Sequence, residues 1–206
     1  TRGAPGARAG PAAGEAAGAR GASVAFTCAY AGKLGELAEL IRRLERDDPG
    51  ATVELMEEIA LLLSLPAAYY DSVEQKREVL SRYASRCRHT VSGKRVRVPL
   101  SALAADLEEK AGWLTNHLRS QEWINAGPGE GWFNSYYDNH GRPVEGIQRD
   151  GSVRMMLTGQ VFAIMSGTAT EEQTKAITRS ADRYLYQKEI GGYRLNTDFH
   201  ELKMDM

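Results

Sequence analysis

The chain has 206 residues, 42% of them hydrophobic and 26% charged, and a formal net charge of -1. That length supports one domain with a sizeable core or two small ones, and the interspersed charges indicate neither a nucleic-acid partner nor an anionic-membrane partner. The longest apolar run, around Ile59–Leu65, is too short to cross a bilayer, no secretory apolar segment opens the chain, and Cys28 and Cys87 lack metal-like spacing, so they read as reduced thiols of a cytoplasmic protein.

Residues 1–21, TRGAPGARAGPAAGEAAGARG, contain no Leu, Ile, Val or aromatic residue. Such a segment cannot offset its ordering entropy by apolar burial and is expected to be a disordered leader. Its Ala, Gly, Pro and Arg are also residues of GC-rich codons, so a shifted reading frame is the alternative. From Ser23 the chain changes character. Leu34, Leu37, Leu40, Ile41 and Leu44 recur at helical spacing, and Asp47-Asp48-Pro49-Gly50 ends that helix. Thr52 is placed as the cap of a second helix, VELMEEIALLLSL, which Pro66 stops. Asp71 or Ser72 caps a third, VEQKREVLSRYASRCRH. VSGKRVRVPL reads as a short extended excursion with alternating Val96 and Val98. Ser101 opens a fourth helix running to about Ile124, with Leu103, Leu107, Leu114 and Leu118 on one stripe.

The segment GWFNSYYDNHGRPVEG, residues 131–146, concentrates four aromatic residues. On a strand, Trp132, Asn134, Tyr136 and Asp138 would face one way and Phe133, Ser135 and Tyr137 the other, with a turn at Asn139-His140-Gly141. A fifth helix is expected from about Ser152 to Met165 and a sixth from a Thr170-Glu171-Glu172-Gln173 cap to Tyr186. A Gly-bounded turn, IGGYRLNTDF, follows, and HELKMDM resembles the start of another helix. Helices joined by aromatic-rich loops, without βαβ alternation, suggest a helical toroid or part of one.

The sequence has no Walker loop, dinucleotide fingerprint, H-E-x-x-H or C-x-x-C, and His89, His117, His140 and His200 are scattered. No metal site and no catalytic residue are assigned. Trp132, Tyr136 and Asp138 on one face would suit a sugar ring, whose apolar C–H face stacks on aromatics while polar groups take its hydroxyls. The plainer reading is that these aromatics cover the core. Gln160 and Arg154, on the apolar stretch RMMLTGQVFAIMSG, must find partners if buried, or else line a polar cavity. Asp138 and Glu145 are a candidate carboxylate pair for glycoside chemistry.

Four segments together resemble one family. GASVAFTCAY resembles the G-E-S-V segment of the cellobiose and chitobiose phosphorylases, the family that also holds the cyclic β-1,2-glucan synthases. GWFNSYYDNHGRPVEG resembles its W-F-x-x-Y-D-x-x-G hairpin, LTGQVFAIMSG its Q-x-W-A-x-x-S-G helix, and YLYQKEIGGYRLNTDF its G-G-Y-x-L-x-x-x-F segment. The resemblance implies a mainly α chain: residues 22–206 as the C-terminal part of an (α/α)6 toroid, a six-hairpin glycosidase-like barrel with short β-hairpin excursions. It implies inverting phosphorolysis of a β-linked glucosyl-type unit, in which an acid protonates the glycosidic oxygen and phosphate attacks the opposite face. The implied partners are an oligosaccharide and inorganic phosphate as co-substrate, with no other cofactor, no nucleic acid and no membrane. A homodimer of the full-length parent is left open. Trp132, Tyr136, Asp138 and Gln160 would line or support the sugar site. The family's acid, in a D-W-x-D-like motif, is expected just before Ser23, where this chain has its Ala/Gly/Pro/Arg run. Ala22 stands where the family has Glu, and the phosphate-gripping H-K-E-N-G segment is expected beyond Met206. The chain alone is therefore expected to be inactive. An inverting hydrolase on the same toroid and a non-catalytic carbohydrate-binding helical module are the alternatives.

Overall fold

The structure is a computed structural model that describes residues 22–66 and 68–199. The expected leader and the expected helix start at HELKMDM lie outside the described residues. The chain divides into two compact units. Among the described residues, one comprises residues 33–113 and the other residues 22–32 with 114–199.

In the first unit, the body of helix α1 (Val24–Asp47) and the start of helix α5 (Leu100–Gln121) form a core of Ala38, Ile41, Leu100, Ala104 and Leu107. Leu37, Leu40 and Leu44 remain about half exposed, so the small Ala38 and Ile41 make the buried stripe rather than the leucines. Strands β2 (Thr52–Met56) and β3 (Arg95–Pro99) pair antiparallel, setting Val53 opposite Val98 and Leu55 opposite Val96. Glu54, on the other side of the strand, reaches Arg95 and Arg97 at 3.7 and 3.5 Å. Three helices lie between these strands in the chain: α2 (Glu57–Ala60), α3 (Ala68–Asp71) and α4 (Val73–Arg86). Ser72 caps α4, its hydroxyl accepting from the Gln75 N–H at 3.2 Å.

In the second unit, strand β1 (Ala22–Ser23) leads into the first turns of α1 and pairs with β6 (Tyr136–Tyr137). After α5 come β4 (Trp123–Gly127) and β5 (Glu130–Phe133), a hairpin with a bulge between Asn125 and Gly127. Two short strands, β7 (Gly146–Ile147) and β8 (Val153–Arg154), precede α6 (Leu157–Met165). Helix α7 (Glu171–Tyr184) begins at a complete capping box between Thr170 and Gln173. Strands β9 (Tyr186–Gln187) and β10 (Gly192–Tyr193) close the described chain. The core holds Val24, Cys28, Leu118, Trp132, Phe133, Met155, Ile177 and Leu185.

The expectation of a mainly α piece of an (α/α)6 toroid is corrected. The structure is 51% helix and 19% strand, a mixed α/β fold with seven helices and several small antiparallel sheets among the described residues. Long-range pairing overrode helical pattern at three places. Thr52–Met56 is a strand because β3 offers it a valine-lined partner. The fourth helix stops at Gln121 because Trp123 and Ile124 pair with Phe133 and Trp132. The fifth starts at Leu157 rather than Ser152 because Val153–Arg154 is held in a strand pair and Thr197 Oγ1 accepts from the Met155 N–H at 3.0 Å. Among the described residues, no helix is long and apolar enough to cross a membrane.

Candidate functional site

The aromatic segment is built into the second unit from both sides. Strand β5 buries consecutive residues, Trp132 and Phe133, rather than alternate ones. The Trp132 ring meets Tyr184 of α7 at 5.8 Å, and Phe133 meets Trp123 edge-on at 5.0 Å. A strand covered on both faces has no solvent side, so the period-two reading of its faces does not hold here. The strand then breaks at Asn134–Ser135, and both residues are buried. The Ser135 carbonyl accepts the N–H groups of Val24 and Ala25 at 2.9 and 3.3 Å, which satisfies two orphan donors of the first turn of α1.

Two buried carboxyls organise this break. Glu145 is 5% exposed, and its oxygens accept the backbone N–H groups of Ser135 and Met156, the latter at 2.5 Å. Burial pushes its pKa up to about 7, against the lowering influence of those hydrogen bonds. Gly159 of α6 lies against Ser135: a Cβ there would fall 2.6 Å from that of Ser135. Glu122, the residue after α5, accepts from Tyr137 Oη at 3.0 Å and from Asn134 Nδ2 at 3.3 Å. Burial raises this carboxyl too, again against its hydrogen bonds. Asn134 Oδ1 in turn accepts the backbone N–H of Glu145 at 3.4 Å, so the Asn134 amide links the Glu122 carboxyl to the Glu145 main chain. Cys28 belongs to the same core, and burial pushes its thiol up to about 11, which removes it as a nucleophile near neutral pH.

The four residues singled out from sequence take different places. Trp132 is fully buried, and its indole N–H finds no partner among the described residues; the ring belongs to the core and offers no face to a sugar. Gln160, 1% exposed, accepts from the Phe133 N–H at 2.8 Å and donates to the carbonyls of Phe133 and Met156 at 2.9 and 3.0 Å. Its amide splices α6 to the end of β5 and lines no open cavity. Tyr136 is half-buried on β6 opposite Ser23. Asp138 closes the turn, accepting the N–H groups of His140 and Arg142 and the Arg142 guanidinium, each at 2.8 Å. Burial opposes its charge, but the Arg142 and His140 donors outweigh burial and hold the carboxyl below its usual range. Of the suggested carboxylate pair, Glu145 is buried on backbone groups and Asp138 binds its own turn. Glu122 and Asn134 escaped the sequence reading. Glu122 fell inside a predicted helix, and Asn134 was only one position on a presumed strand face. Among the described residues, no cluster of His, Cys, Asp or Glu is arranged to hold a metal ion.

Compared with protein-family models and with curated proteins, the chain has no match. The four segments quoted above nevertheless meet in one unit. The Val24 N–H reaches Ser135, Gln160 reaches Phe133, the Leu157 N–H reaches the Leu195 carbonyl at 2.7 Å, and Trp132 packs on Tyr184.

Proposed function

We propose that this chain is part of the catalytic portion of an inverting glycoside phosphorylase, contributing the wall of a sugar site but not the proton donor. The observation that carries this reading is the meeting of the four family-like segments. They span residues 21–199 of the sequence, yet each contacts another of the set through named hydrogen bonds or ring contacts within the second unit. On this reading, Glu122, Asn134, Glu145 and Gln160 do not touch sugar. They fix the backbone of residues 131–146, leaving Tyr136 and the Asp138 turn as the part of the segment that a substrate could meet.

The reaction would proceed by protonation of the glycosidic oxygen by a carboxylic acid from outside residues 22–199, with inorganic phosphate attacking the anomeric carbon from the opposite face. The C–O bond to the leaving sugar breaks as the C–O bond to phosphate forms, and the leaving oxygen keeps the proton. Neither Glu145 nor Glu122 is placed for the acid's role: both are nine-tenths buried and hydrogen-bonded inward. The test is the initial rate of disaccharide consumption with and without phosphate. The 206-residue chain alone is expected to be silent. A longer product of the same gene, with an acid-bearing segment upstream of Ser23, is expected to consume a β-linked disaccharide only when phosphate is present.

A further inference from the structure

The turn between β4 and β5 borders an open cleft of about 550 Å³, lined by Trp123, Asn125, Glu130, Ala176 and the 127–129 turn. None of these residues belongs to the four segments' splice described above, except that Trp123 braces Phe133. The cleft is built with care. Gly131 leaves no room beside the Trp123 ring, since a Cβ there would fall 2.4 Å from Trp123 Cζ2, so the indole lies close against the strand at this glycine. Glu130 is held by Arg183 at 2.8 Å and by Tyr184 Oη at 2.9 Å, which fixes the carboxylate and keeps it ionised. Arg179 donates to the Gly129 carbonyl at 2.6 Å and so sets the turn from the α7 side. Asn125 Oδ1 accepts the Gly127 N–H at 3.1 Å, which orients its NH2 group as a donor.

The chemistry of this lining selects its ligand. The Glu130 carboxylate is paired with Arg183, and the second guanidinium beside it, Arg179, is held on the Gly129 carbonyl. It presents one aromatic wall, an amide donor, a carboxylate acceptor and a small Ala176 floor. A matching ligand has an apolar face and a rim of groups that both donate and accept hydrogen bonds. A pyranose ring has that description. We infer that the β4–β5 cleft binds a sugar unit, stacked on Trp123 and hydrogen-bonded to Asn125 and Glu130. The inference deepens the phosphorylase reading, because it supplies a place on this chain for a sugar away from the reacting bond.

The test is a titration of the 206-residue chain with cellobiose, followed by the side-chain indole signals of Trp113, Trp123 and Trp132 in 15N-labelled protein. The Trp123 signal is expected to shift and saturate, while buried Trp132 and Trp113, in the other unit, hold still. Trp123→Ala and the exposed Asn125→Ala should each weaken binding about tenfold, and the second leaves the core untouched, so loss of folding cannot explain its effect. A Trp123 signal that stays fixed to saturating sugar, or variants that bind as tightly as the parent, overturns the inference. Saturable binding without phosphorolysis by any longer product would leave the cleft standing and remove the phosphorylase reading. Phosphorolysis with a silent Trp123 would do the reverse.

Discussion

Glu145 gives the most quantitative expectation. Its carboxyl titrates near pH 7 in the folded chain and is ordinary, near 4.5, when exposed. The folded state therefore binds this proton more tightly than the unfolded state. Its contribution is fully present below pH 4.5 and is lost as pH rises through 7, because the unfolded chain ionises first. At about 1.4 kcal/mol per pH unit, the loss across that window amounts to about 3 kcal/mol. Glu122 is raised for the same cause and adds a slope of the same sign. The perturbation that isolates Glu145 is Glu145→Gln. The new amide cannot ionise; its oxygen can accept from one of the two backbone N–H groups, while its NH2 confronts the other. That mismatch lowers the variant's stability by a pH-independent amount and leaves the slope as the diagnostic. Urea unfolding of both proteins from pH 4.5 to 8 should show the stability advantage of the parent shrinking by about 3 kcal/mol and levelling off above pH 7. A difference between parent and variant that stays constant across the range would refute the reasoning. It would mean that the hydrogen bonds from Ser135 and Met156 hold the buried carboxylate ionised throughout.

Other expectations concern the same splice. Gln160→Met keeps the volume but strands the Phe133 N–H and carbonyl, and should cost about 3 kcal/mol in urea unfolding, at the rate expected for buried unsatisfied groups. Gly159→Ala drives a methyl into Ser135, which is locked by Glu145 and by α1, and should cost about 2 kcal/mol or more; Ser135→Gly in the same chain should return most of that loss in a double-mutant cycle. Thr170→Ala removes one arm of the capping box of α7 and should lower stability by about 1 kcal/mol, with Thr170→Ser restoring it.

What could be read in the sequence was local. The cap at Thr170-Glu171-Glu172-Gln173 and the Ser72 cap are chemical signals within a few residues, and both stand in the structure. The α1 and α4 periodicities and the Arg95–Pro99 excursion are of the same kind. The toroid expectation went astray where the decisive partner was distant in the chain. Thr52–Met56 has apolar residues that fit a helix or a strand, and the choice is made by Arg95–Pro99, some forty residues on. The site shows the same limit. A glutamine in an apolar helix announces that it needs partners, but not that they are the two backbone groups of Phe133. Glu122 gave no signal, because its burial follows from a helix end and a strand start that the sequence placed wrongly. Trp132 could have been either wall or core; the contact with Tyr184, more than fifty residues away, gives it to the core.

The central claim is a transfer to phosphate, and 31P NMR observes that transfer directly. A longer gene product carrying residues 22–199 and an upstream acid would be incubated with a β-linked disaccharide and inorganic phosphate. The account predicts a growing sugar 1-phosphate resonance of α configuration, matched by loss of inorganic phosphate. Release of free sugar with an unchanged phosphate spectrum would contradict it and assign the attacking group to water.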